Sequence, residues 1–272
     1  MKHQRTLWAV SDLHAAVRDN TAQINRIRPE QPDDWLIVAG DVAERTEVVS
    51  DVLAELRGRF AEVIWVPGNH ELFSRSKDEF QGRAKYDQLV AVCRKLRIHT
   101  PEDPYPAFGD VTVVPLFCLY DFSFRPRCMT VEQARAAAEQ KQAVMTDAFA
   151  IEPFVDVRAW CWDRLAYSVK RLSRVAGPTI LINHWPLVPG PLSELAVPEI
   201  VLWCGTRHTT SWPERYQATK VVYGHLHLPG ERQYEGVTHV EVSLGYPREW
   251  QGRQRPIPWP YPVAVWEVED GR

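Results

Sequence analysis

The sequence predicts an α/β fold built on a largely parallel sheet. Short apolar runs at 6–10 (TLWAV), 35–39 (WLIVA) and 63–66 (VIWV) read as buried strands, each ending in a polar cluster. The segments between them have helical spacing, and this β-α-β-α-β succession implies right-handed crossovers. Neither an internal repeat nor a linker divides the chain, so its 272 residues read as one domain.

Each element has its own warrant. Residues 20–27 and 47–59 follow the first two strands, and Val48, Val49, Val52, Leu53 and Leu56 form one face of the second segment. Residues 86–96 repeat the pattern through Leu89, Val90 and Cys93, and 111–117 reads as a further strand. The Ala/Gln/Glu-rich stretch 131–149 and the stretch 156–175 predict two helices, which make 122–175 a helical insertion. Strands resume at 179–182 and 220–223. A pair at 231–234 and 237–242 turns through Glu-Gly, and 263–268 (VAVWEV) alternates as a last strand.

Composition narrows the function. With 32 Lys+Arg against 35 Asp+Glu the net charge is −3, which argues against nucleic acid as a partner. Five scattered cysteines without a C-x-x-C pair predict reduced thiols, and neither a disulfide framework nor a zinc ribbon. The start, MKHQRTLWAVSDLH, lacks an apolar run of signal-peptide length, and no stretch approaches the roughly 18 apolar residues of a membrane span. The expectation is a cytoplasmic protein without membrane contact. Oligomeric state is left open. The 11 Trp and 21 Pro concentrate in the second half, which predicts loops and amphipathic aromatic surface there.

The chemistry lies just after the predicted strands. Asp12 and His14 follow the first (D-L-H), Asp41 and Glu44 the second (G-D-V-A-E), and Asn69 and His70 the third (G-N-H-E). Asn183 and His184 follow 179–182 (N-H-W-P), and His225 and His227 follow 220–223 (G-H-L-H). Ligands gather beyond the carboxyl ends of strands in α/β sheets. Any one of these residues alone reads as turn chemistry or a hydrogen-bonded loop group, but five strand ends in succession do not. Two carboxylates, an amide oxygen and imidazoles without thiolates suit first-row divalent metals. Two such ions against two carboxylates and a hydroxide leave a net charge of about +1, suited to a phosphate group.

In this order, D-x-H, G-D, G-N-H-[DE], H and G-H-x-H resemble the calcineurin-like metallophosphoesterase family, over about residues 6–245. The resemblance implies a four-layer α/β/β/α sandwich. It implies that Asp12, His14 and His227 hold a first metal, that Asn69, His184 and His225 hold a second, and that Asp41 bridges both. His70 matches the family's histidine that protonates the leaving alkoxide or orients the phosphate. Glu44 has no assigned role. The implied reaction is in-line attack on phosphorus by a metal-bridging hydroxide, without a covalent phospho-enzyme. Two divalent ions are therefore the expected cofactors: Mn and Fe, with Zn also compatible with these ligands.

Blocks at 102–106 (EDPYP), 115–126, 203–206 (WCGT) and 242–250 (VSLGYPREW) are similar to an actinobacterial branch that includes 4′-phosphopantetheinyl hydrolases. This likeness implies an acyl or peptidyl carrier protein as substrate, with phosphopantetheine released from its serine. An acidic carrier predicts basic rim residues, drawn from Arg75, Lys77, Arg125, Arg127, Arg207, Arg248, Arg253 and Arg255. Arg125 and Arg127, flanking Pro126, are the leading candidates. Trp160 and Trp162 are expected to pack the insertion, and 256–262 (PIPWPYP) to cross the surface. Two alternatives stay open: a phosphodiesterase or phosphatase for small molecules such as cyclic nucleotides or phosphorylated metabolites, and a non-catalytic scaffold that kept the fold.

Overall fold

Two β-sheets stack face to face in the computed structural model, which describes residues 3–251 and 262–270. The first contains β1 (His3–Val10), β2 (Trp35–Val38) and β3 (Glu62–Trp65), all parallel, with β10 (Val263–Asp270) antiparallel on the free edge of β1. The second has the order β4-β5-β6-β7-β9-β8. Its strands are β4 (Ala107–Phe108), β5 (Val111–Pro115), β6 (Thr179–Ile182), β7 (Ala218–Tyr223), β8 (Gly230–Tyr234) and β9 (Val237–Glu241). Strands β5, β6, β7 and β9 are parallel, and β4 and β8 are antiparallel edges. The β8–β9 turn is the predicted Glu-Gly pair, with φ of 50° at Glu235 and 81° at Gly236, as a two-residue hairpin requires.

Alternation along the strands sorts the core into layers. Leu7, Ala9, Ile37, Ala39, Ile64 and Val66 of the first sheet meet Val113, Ile180, Ile182, Val222 and Val240 of the second in a wholly apolar seam. Their neighbours Leu36, Val38, Val63 and Trp65, and Val114, Leu181 and Val221 in the second sheet, face outward into helices. The first sheet is covered by α1 (Arg18–Ile24), α2 (Thr46–Arg57) and α4 (Gly82–Lys95), with the single turn α3 (Asn69–Leu72) following β3. Helix α2 buries Val49, Leu53 and Leu56, one face at helical spacing. These layers form the α/β/β/α sandwich.

The predicted insertion differs in detail. The helix expected over 131–149 is two: α5 (Val131–Gln140) and a turn α6 (Asp147–Ala150). Thr130 caps α5, accepting from Gln133 N while Gln133 Oε1 accepts from Thr130 N. The helix ends where Gln142 takes φ 54° and Ala143 N donates to Ala138 O, a Schellman ending that local composition did not signal. Helix α7 (Val157–Leu172) joins β5 to its parallel neighbour β6, so it is the crossover of the second sheet and not an inserted piece. It buries Trp160 edge-on against Phe117, whereas Trp162 is half-exposed and donates to Asp121. Short turns that the sequence did not announce fill 190–215, ending in α8 (Trp212–Arg215), and α9 (Pro247–Trp250) follows β9. All five cysteines are free. Among the described residues no helix is long and apolar enough to cross a membrane. Residues 256–261 of the proline-rich segment, with Arg253 and Arg255, lie outside the described residues.

Candidate metal centre

The parallel strands of both sheets deliver their carboxyl ends to one rim, and backbone bonds lace the exits together. Asp12 N donates to Gly40 O and His14 N to Asp41 O, which ties the β1 exit to the β2 exit. Glu71, wholly buried, accepts from Asp41 N at 2.9 Å, Val42 N at 2.7 Å and Gly68 N at 2.8 Å, and so joins the β2 and β3 exits. A bridge between Ser11 and Ser243 closes the two sheets onto each other, with Leu244 N donating to Ser11 O. His184 Nδ1 donates to Ala39 O across the seam at 2.8 Å. The chain turns sharply here. Asp12, His14, Asp41, His225 and His227 all take φ between 40° and 72°, sparsely populated backbone that only a tightly determined surrounding maintains.

These turns bring together eight of the residues in the five motifs: Asp12, His14, Asp41, Asn69, His70, His184, His225 and His227. Ring and carboxylate atoms of Asp12, His14 and His227 lie within 4.8 Å of one another, as do those of Asp12, Asp41 and His184, and of His14, Asp41 and His70. Asn69 Oδ1 lies 3.2 Å from His184 Nε2 and 3.0 Å from His225 Nδ1, gathering the other three. Asp41 stands between the two sets. Gly40 fits only as glycine: with φ 89°, an added Cβ would overlap the Gly68 backbone and the His184 ring. Asn183 is not part of the cluster. Its amide bonds both the N–H and the carbonyl of Cys118, pinning the strand exits together.

The electrostatics suit cations. Burial opposes charge on Asp12 and Asp41, yet the surrounding imidazoles hold both carboxyls well below the usual carboxylate range. Burial likewise opposes charge on His184, but Asp41 and Asp12 outweigh it and push the ring up to about 10. Burial lowers His14 to about 4 and His225 to about 3, with repulsion from His70 and from His184 respectively adding to it. The cluster thus pairs buried anions with imidazoles that are either neutral or carry a proton a cation can displace. Two carboxylates, one amide oxygen and several ring nitrogens within this radius fit divalent first-row metals.

A family model for calcineurin-like phosphoesterases matches residues 5–229. The chain belongs to that family. PptH of Mycobacterium tuberculosis, an acyl-carrier-protein phosphodiesterase, is 47% identical over 265 residues, covering 93% of this chain and 82% of that protein. The crystal structure of M. tuberculosis PptH, a phosphopantetheinyl hydrolase, superposes with a TM-score of 0.92 at 45% identity, covering 97% of each chain.

Several residues around this phosphoesterase site make contacts that the sequence did not assign. Glu249 Oε2 accepts from His227 Nδ1 at 2.7 Å, which leaves Nε2 facing Asp12 Oδ1 at 3.0 Å. Tyr246 stacks on His14, centroids 4.4 Å apart and planes 6° from parallel. Ser243 Oγ lies 2.6 Å from Asp12 Oδ2. Asp147, buried in α6, accepts from Asn69 Nδ2 at 3.1 Å. Glu44 Oε1 lies 3.7 Å from His70 Nδ1, and Arg75 approaches Glu44 at 3.3 Å. Glu44 stands in the G-D-V-A-E motif, and Ser243, Tyr246 and Glu249 lie in the 242–250 block without a local sign of their partners, whereas Asp147 had no local signal.

The expected basic rim is only partly free. Arg207 donates to the carbonyls of Ser123 and Arg125, and Arg125 to those of Met129 and Phe122, so both guanidiniums staple the loop after β5. Arg127 is exposed. A cleft of about 490 Å³ beside His70 is lined by Glu44, Arg45, Phe73, Arg75 and Lys77, among others.

Proposed function

We propose that this chain is a phosphodiesterase that releases 4′-phosphopantetheine from the serine of a holo acyl or peptidyl carrier protein, using two divalent ions, Mn or Fe. The observation that carries this reading is the 47% identity to PptH across 93% of the chain. It is supported by a ligand cluster in which no residue of the family pattern is missing. Asp12, His14 and His227 would hold one ion, Asn69, His184 and His225 the other, and Asp41 both. Bound there, the ions supply Lewis acidity toward the phosphoryl oxygens and a water acidic enough to act as nucleophile at neutral pH.

The chain's own groups do the rest. His70 sits at the mouth of the cluster, its side chain 19% exposed. Its Nδ1 side faces Glu44 and its Nε2 faces Asp41 Oδ2 at 3.8 Å. Nε2, on the side of the cluster, is the atom that hands a proton to the departing serine oxygen. Phe73, 4.5 Å from the His70 ring, shields one side of it. The cleft lined by Glu44, Phe73, Arg75 and Lys77 lies on the Glu44 side of the His70 ring, and its open surface beside the site suits a protein-sized substrate.

The test is mass spectrometry of a holo carrier protein incubated with the chain and Mn²⁺ or Fe²⁺. Loss of one phosphopantetheine mass is expected. An unchanged holo mass across several carriers, alongside hydrolysis of a small phosphodiester, moves the assignment to small molecules.

A further inference from the structure

The two expected metal positions lean on two separate parts of the chain. All three residues of the first set are braced by one short stretch after β9. Ser243 meets Asp12 Oδ2 at 2.6 Å, Tyr246 lies flat on His14, and Glu249 accepts a hydrogen bond from His227 Nδ1 at 2.7 Å. That stretch is itself pinned. Gly245 N donates to Asp12 O, Asn20 Nδ2 donates to Gly245 O, and Tyr246 N donates to Glu249 Oε2. It lies beyond residues 5–229, which the family model spans.

The second set is braced from α6 instead. Asp147 Oδ2 accepts from the NH₂ of Asn69, and with the NH₂ held there Asn69 Oδ1 faces His184 and His225. Without Asp147 the amide could turn over and present hydrogens to the cluster. Asp147 is fully buried, and α6 is clamped to the site by Ser74 N donating to Ala150 O at 2.7 Å.

We propose that Glu249 and Asp147 are positioning residues, each serving one metal position and not the other. The inference rests on the metal-centre reading above. Partners that orient metal ligands are typically worth about 10- to 100-fold in metal affinity. The phosphoesterase motifs thus provide the ligands, while a C-terminal clamp and a short helical turn separately decide how well each ion is held.

The experiment uses full chains titrated with Mn²⁺ by calorimetry, with bound metal counted by elemental analysis. Glu249→Ala is expected to weaken one of the two ions about 10- to 100-fold and leave the other unchanged. Asp147→Ala should do the same to the other ion. Additivity tells the ions apart: the loss from Glu249→Ala adds to that of Asn69→Ala, whereas the loss from Asp147→Ala does not. If an alanine variant fails to fold, Glu249→Gln and Asp147→Asn keep size and an acceptor oxygen, and the same one-ion selectivity is expected at reduced magnitude. Equal weakening of both ions by either variant, or wild-type affinities in both, overturns the proposal alone. A wild-type chain that binds no metal overturns the metal-centre reading with it.

Discussion

Replacing Glu71 tests the claim that one buried carboxylate holds the β2 and β3 exits in register. Its two oxygens accept three backbone N–H groups, from Asp41, Val42 and Gly68, all between 2.7 and 2.9 Å. Burial and the nearby Asp41 raise its carboxyl to about 7, while the N–H bonds favour the anion. Hydrogen bonds to a charged group contribute at least about 1.5 kcal/mol each, so Glu71→Ala, which orphans three donors, should cost about 4–5 kcal/mol. Glu71→Gln has one oxygen for the Asp41 and Gly68 donors, but its NH₂ would face the N–H of Val42. One bond is then replaced by a donor-to-donor contact, and the cost should be about 2–3 kcal/mol. Because Asp41 and Asn69 flank these donors, both variants should also lose metal affinity, in the same order. Urea unfolding of the metal-free chains measures the first effect and metal titration the second. A Glu71→Ala chain within about 0.5 kcal/mol of wild type, roughly the range of an inconsequential surface change, would refute the reasoning.

Further outcomes follow from the same geometry. Asp41→Asn removes the carboxylate that belongs to two of the three clustered sets; elemental analysis should find the bound metal lost, and a variant that keeps two ions would contradict the bridging role. His70→Ala should retain metal but turn over about 10² to 10⁴ times more slowly, most severely with poor leaving groups; equal slowing across leaving groups would argue against proton donation. Gly40→Ala must place a side chain at φ 89° against the Gly68 backbone, so a loss of about 2–4 kcal/mol in urea is expected from backbone strain plus overpacking, and an unchanged midpoint would show that the rim can relax. His184 is pushed up to about 10 in the metal-free chain, so at neutral pH an ion must displace its proton. Metal affinity should therefore rise with pH between about 6 and 8, by up to tenfold per unit for each proton displaced, and calorimetry showing a pH-independent affinity would contradict it.

The fold and the clustered site residues were legible because both are written in short-range patterns. Strands β2, β3 and β6 are four-residue apolar runs, and each ends next to the polar residue it presents. The helix expected over 131–149 stops after Gln140 although helix formers continue through Lys141 and Gln142, because a Schellman ending closes it in three dimensions. Helix α7 read as an insertion because nothing local says which strands a crossover joins.

What the sequence determined by itself is the family, the sandwich and the identity of Asp12, His14, Asp41, Asn69, His70, His184, His225 and His227 as one chemical set. Their spacing after strands is a local property, and parallel topology converts it into convergence. What only the tertiary structure decided is how those groups are held. Glu249 reaches His227 across 22 residues, Asp147 reaches Asn69 across 78, and Ser243 reaches Asp12 across 231. The same packing gave Arg125 and Arg207 carbonyl partners that their sequence positions did not announce. A hydrogen-bond partner is chosen by distance in space, and no periodicity in the chain encodes a contact between segments that meet only after both sheets have closed.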